Sequence, residues 1–229
     1  TKSATVAVSA PVEEISKPFA YDSFGKPGKV VADERISDLD VRTVRFANGV
    51  KLNIKRTDFE KGKIGFSMRA GSGRSGLPSK KPGLSVMFDY LNNADGLGKH
   101  SIDELQKLTA GKTVSLIMKT SDDAFVAQGS TTPNDLELQL KLLAAKTSDM
   151  GFRLETAAQW PGLASILRTN FMSDPVQRFT SAWPQLLSDG DHRFGIANPD
   201  ELARRTIEEL KQAVDADLKS GPLEIALVG

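Results

Sequence analysis

In "GLSVMFDYL", Gly83 to Leu91, one acid, Asp89, stands among apolar residues. A carboxylate held in such a place can take a proton from a water or a substrate as a general base. The partners that such chemistry needs are scarce. His100 and His192 are the only histidines, and there is no cysteine. A catalytic zinc usually has three protein ligands, most often with two histidines close together on one helix. These two lie far apart in the chain, and neither follows a Glu at helical ligand spacing. A serine-type triad would draw on the same pair, and no G-x-S-x-G elbow exists to hold its nucleophile. Both histidines read as surface or turn residues.

Two glycine motifs suggest phosphate chemistry and then fail on context. "GSGRSG", Gly71 to Gly76, matches G-x-G-x-x-G after a strand pattern, but "LPSKKP" intervenes before the next helix. A pyrophosphate needs the helix N-terminus directly after the glycines. The motif reads as a glycine-rich connection. "AGKT", Ala110 to Thr113, has Gln106 where a P-loop needs its first glycine, and it leads into a strand. Gly111 reads instead as the stop of the preceding helix.

The elements that must position these residues follow from the hydrophobic periodicity. Val44 and Phe46, then Val50, Leu52 and Ile54, alternate around Asn48-Gly49, a strong hairpin signal that predicts a type I′ turn. A further strand holds Ile64, Phe66, Met68 and Ala70. A helix from about Leu84 to Asn92 places Leu84, Met87, Phe88 and Leu91 on one buried face. Ser101 and Glu104 form a capping box for the next helix. Two strands near Val114–Lys119 and Ala124–Gln128 come next. A helix with Thr132 as N-cap and Pro133 as its first residue carries apolar residues on two faces. Residues 154–187 are helical, punctuated by Pro161, Pro175 and Pro184. Asn198-Pro199-Asp200-Glu201 caps a long helix to about Lys219, Gly221-Pro222 ends it, and "LEIALVG" reads as a buried strand. Hairpins, then helices, then a late returning strand predict an α+β fold with a mostly antiparallel sheet and helices packed on one face.

Composition narrows the function classes. The chain has 229 residues and a net charge of +1, so it carries no electrostatic footprint for nucleic acid or an anionic membrane. The densest basic stretch, Lys51 to Lys63, is broken by Asp58 and Glu60 and reads as a solvated face. No apolar run approaches the roughly 18 residues of a membrane span. The absence of cysteine excludes disulfides and thiolate zinc sites. Residues 1–40, rich in Pro and Gly, read as a connector, and residues 41–229 as the domain proper. Thr1 in place of Met suggests a piece of a longer chain.

The ordered set of "FANGVKLNIKR", a strand ending in Gly, "GLSVMFDYL", the capped "SIDELQKL" helix and the final "LVG" strand resembles the pitrilysin/insulinase family of zinc metallopeptidases, the inverzincins. Active members carry a G-x-x-H-x-x-E-H helix, whose two His bind zinc and whose Glu activates a water. Laid onto this chain, Gly83 takes the motif's Gly. Val86 then stands at the first His, Asp89 at the Glu and Tyr90 at the second His. The third ligand is a Glu on a later helix, and the corresponding "QWPGLASILRTNF" contains no acid. The resemblance therefore implies the first domain of the family's ligand-free half. In that reading zinc belongs to the catalytic half, on the same or a partner chain, and the parent protein is a zinc metalloendopeptidase. An extended peptide would be held partly by strand addition and partly by the chamber wall. An inactive scaffold or partner subunit is the alternative. Bacterial relatives are often exported, which favours a periplasmic location by resemblance only.

Overall fold

A computed structural model of the chain describes residues 17–195, 197 and 199–229. Among these, seven strands form one sheet: β1 (Val30–Ile36), β2 (Val41–Phe46), β3 (Lys51–Lys55), β4 (Ile64–Ala70), β5 (Met118–Thr120), β6 (Phe125–Thr131) and β7 (Leu223–Val228). Their order across the sheet is β1-β2-β3-β7-β4-β6-β5. Every pairing is antiparallel except β3 with β7. The last strand thus enters between two strands that are consecutive in sequence. It pairs with both, and so joins β1–β3 to β4–β6.

The pleat decides which face is covered. Phe66, Met68 and Ala70 of β4 are buried, and Phe125 and Ala127 of β6 stand opposite Ala70 and Met68 on the same side. Gly129 lies opposite Phe66, and a Cβ there would meet the Phe66 ring at 2.9 Å. Nine helices are described, α1 (Gly73–Gly76), α2 (Leu84–Ala94), α3 (Ile102–Leu108), α4 (Leu136–Ser148), α5 (Leu154–Ala158), α6 (Trp160–Ser173), α7 (Pro175–Leu187), α8 (Pro199–Ala203) and α9 (Ile207–Ser220), and only some of them cover this face. The main core joins the sheet to α2, α4, α6 and α9. A smaller core gathers Tyr21, Leu97, Leu105, Leu142 and Ala145. Helix α4 serves both, with Leu143 in the first and Leu142 and Ala145 in the second. The two apolar faces read from its sequence are both used.

Several local readings need correction. Strand β1 lies inside the stretch read as connector. The Asn48-Gly49 turn has positive φ only at Gly49, and Phe46 N–H donates to Val50 O (2.9 Å). It is therefore a three-residue loop with glycine in the left-handed position rather than a type I′ turn. Pro133 is not helical. Thr132 and Asp135 bond each other in a turn, and α4 begins at Leu136 with Asp135 as its N-cap. The first of the two middle strands is only Met118–Thr120. The long C-terminal helix is two, because Thr206 is extended and forms a capping box with Glu209 that starts α9 afresh. Asn198, read as a cap, lies outside the described residues. The Ser101–Glu104 capping box is present as read. Pro161 and Pro175 open α6 and α7, while Pro184 lies inside α7.

Candidate functional site

The motif helix α2 starts at Gly83, whose φ of +90° suits glycine, and whose missing side chain leaves room for Leu202 and Ala197. Leu84, Met87, Phe88 and Leu91 are all fully buried, and Phe88 packs on Phe125 with ring centroids 4.5 Å apart. The three residues that the resemblance sets at motif positions, Val86, Asp89 and Tyr90, face three different surroundings. Val86 is half-buried against the main core. Tyr90 is 37 % exposed, and its ring lies 6.4 Å from that of Trp160. Asp89 is half-buried and turns toward β5, where its Oδ1 accepts from Thr120 N–H (2.6 Å) and from Thr120 Oγ1 (2.8 Å).

Burial pushes the Asp89 carboxyl above the usual carboxylate range, and the two Thr120 hydrogen bonds oppose that shift. Both bonds fall on Oδ1, so that oxygen is committed to the strand. The zinc that the resemblance implies does not fit here. Val86 offers no ligand atom, and Tyr90 packs its ring against an indole. Helix α6, which begins with buried Trp160, holds no acid, His or Cys. The Trp160 indole N–H donates to Leu202 O (2.9 Å), so that residue serves packing. Among the described residues, no three His, Cys, Asp or Glu are grouped to hold a metal ion.

The remaining candidates have structural partners. His100 is buried, contrary to its surface reading. Its Nε2 accepts from Ala20 N–H (2.9 Å), and its ring stacks on Phe19. His192 is in an exposed loop beside Gln185. The glycines of "GSGRSG" give room to a carboxylate: Asp217 Oδ2 accepts from Ser72 N–H (2.6 Å), and a Cβ on Gly71 would meet it at 2.5 Å. Gly111 has a φ of +73° in the turn after α3.

Sequence reasoning missed three polar residues that matter here. Asn92 and Asn93 donate to Met118 O (3.1 and 2.9 Å), and Asn93 Oδ1 accepts from Met118 N–H (3.0 Å). Their signal was a pair of amides ending an apolar helix, where asparagine is a poor helix former. Lys146, fully buried in α4, donates to Asn92 O and to Gly96 O (3.4 Å), and burial pulls its ammonium down to about 8. No pattern in the sequence marked it.

No family model and no curated protein matches this chain. Solved structures do. The periplasmic protease PqqL of Escherichia coli aligns with 98 % of this chain and 24 % of its own, at 16 % identity and a TM-score of 0.75. A variant of the ferredoxin protease FusC, solved with Arabidopsis ferredoxin, aligns with 98 % of this chain and 25 % of its own, at 17 % identity and 0.75. A protease from Helicobacter pylori covers 82 % of this chain at 16 % identity and 0.69. The fold is the one these proteases contain. At such low identity the likeness establishes the architecture, and this chain spans about a quarter of the length of the first two. No described helix is long and apolar enough to cross a membrane.

Proposed function

We propose that this chain is a non-catalytic domain of a pitrilysin/insulinase-type zinc metallopeptidase, walling part of a peptide-enclosing chamber while hydrolysis occurs in another half. The observation that carries the reading is the content of α2. By resemblance it takes the place of the family's zinc helix with Val86 and Tyr90 at the ligand positions, and in the fold Asp89 is bonded to Thr120. The likeness to quarter-length portions of two proteases supports a role as one unit among several.

The purified chain should bind zinc only substoichiometrically and should cleave no peptide. Tight one-to-one zinc, or metal-dependent cleavage by the chain alone, would overturn the proposal. A second reading, an inactive scaffold or partner subunit, is supported by the exposed apolar stripe on α7, which suits a surface covered by another subunit. An H-x-x-E-H helix in the same polypeptide separates the two. Its presence supports the single-chain peptidase, and its absence supports the partner subunit.

A further inference from the structure

Strand β5 is the last strand on its side of the sheet. Ser121 N–H, just beyond it, turns inward to Ala124 O (2.8 Å), so the backbone groups of Met118 and Thr120 face outward. Such unpaired groups are a template for any extended chain. Here the side chains of α2 already hold three of them, Met118 N–H, Met118 O and Thr120 N–H. Asn93 accepts from Met118 N–H (3.0 Å) and donates to Met118 O (2.9 Å), the same two bonds that a residue of an antiparallel strand would exchange. Asp89 Oδ1 takes Thr120 N–H, and Asn92 adds a second donor to Met118 O.

The spacing explains why a helix can do this. Two residues along a strand span about 6.7 Å, and four along a helix span about 6 Å. Positions 89 and 93 of α2 therefore come into step with 120 and 118 of β5, running in opposite directions. We propose that Asp89 and Asn93, helped by Asn92, act as a surrogate strand that closes the β5 edge to an extended peptide. Among the described residues, β1 at the other end of the sheet pairs only with β2. This closure depends on hydrogen bonds within the chain and stands whether or not the parent protein is a protease.

Amide hydrogen exchange on the 229-residue chain tests it. The Met118 and Thr120 amides should be protected to the same order as that of Ser121. Asn93→Leu should speed exchange at Met118, and Asp89→Leu at Thr120, on the order of 10-fold or more, with Ser121 unchanged. Asp89→Asn keeps an acceptor oxygen and should keep Thr120 protected. With both Asp89 and Asn93 changed to Ala, an acetylated peptide of alternating Val and Thr should shift the resonances of residues 118–120. The native chain should show no such shift. Unprotected Met118 and Thr120 amides in the native chain would overturn the proposal, as would peptide binding at its β5. So would an opened edge that still binds no peptide. If the double variant unfolds, Ser121 exchange rises with the rest, and the native chain and Asp89→Asn then decide.

Discussion

Helices α2 and α7 are both written with one apolar stripe, and the fold treats them in opposite ways. Leu84, Met87, Phe88 and Leu91 of α2 lie at most 1 % exposed against the sheet. On α7, Val176, Phe179, Trp183, Leu186 and Leu187 recur at the same helical spacing, yet Trp183 is 44 % and Leu186 70 % exposed. Phe179 and Trp183 stack at 5.3 Å and, with Ala182, Gln185, Leu186 and Gly190, line an open cavity of about 470 Å³. Periodicity reports that a helix has an apolar side. It does not report whether anything in the same chain covers it. The cover on α2 comes from strands contributed by distant parts of the sequence, and within the described residues α7 has no such neighbour on that side.

Truncating one ring in each stripe tests the difference most directly. Phe88→Ala should cost about 3–5 kcal/mol, because a large cavity would open beneath the sheet. Phe179→Ala should stay within about 0.5 kcal/mol, as for an exposed position. Denaturant unfolding of both variants is the measurement. Equal losses would mean that the α7 stripe is buried in solution.

Next in size is a pH effect confined to the buried side. Lys146 sits at about 8 in the fold against 10.5 for the ordinary side chain, so between those values the unfolded chain binds more protons. Stability should therefore rise by about 2 kcal/mol from pH 8 to 10. Burial holds the Tyr21 phenol up at about 12 against 10, so above pH 10 the folded chain keeps the proton that the unfolded chain loses. Stability should then fall. Unfolding midpoints across this range read both limbs, and Lys146→Met should abolish the rise.

A smaller change tests whether α7 stands on its own cap. Asp174 Oδ1 accepts from Val176 N–H (2.8 Å) and Gln177 N–H (3.2 Å). Asp174→Ala should cost about 1 kcal/mol, read by unfolding. The smallest effect is spectroscopic, since the main core and the α7 stripe hold one tryptophan each. Trp160 is 1 % exposed and Trp183 is open. Trp160→Phe should leave an emission that acrylamide quenches readily, and Trp183→Phe one that it hardly touches.

How far the molecule was legible depends on the range of the interactions involved. The apolar face of α2 and the Ser101–Glu104 box were readable because their residues lie within one or two turns of each other. Strand β1 was not. Its residues are mostly exposed, so "VVADERI" carries no alternation, and it is a strand because β2 pairs with it. The second capping box, Thr206 with Glu209, was legible in principle. It was overlooked because Asn198-Pro199 offered an earlier helix start. His100 was misread for a long-range reason: Phe19, Ala20 and Tyr21 come from far away in sequence to bury it.

The candidate site divides along the same line. That neither Val86 nor Tyr90 is a customary zinc ligand was visible from residue identity alone. What Asp89 does was not visible. Its partner Thr120 is on a strand whose position depends on β6, and β6 is held through β4 by the last strand of the chain. Side-chain chemistry is a property of the sequence. The partner that a half-buried carboxylate meets is settled by tertiary packing, because only the assembled sheet brings a backbone N–H within 2.6 Å of it.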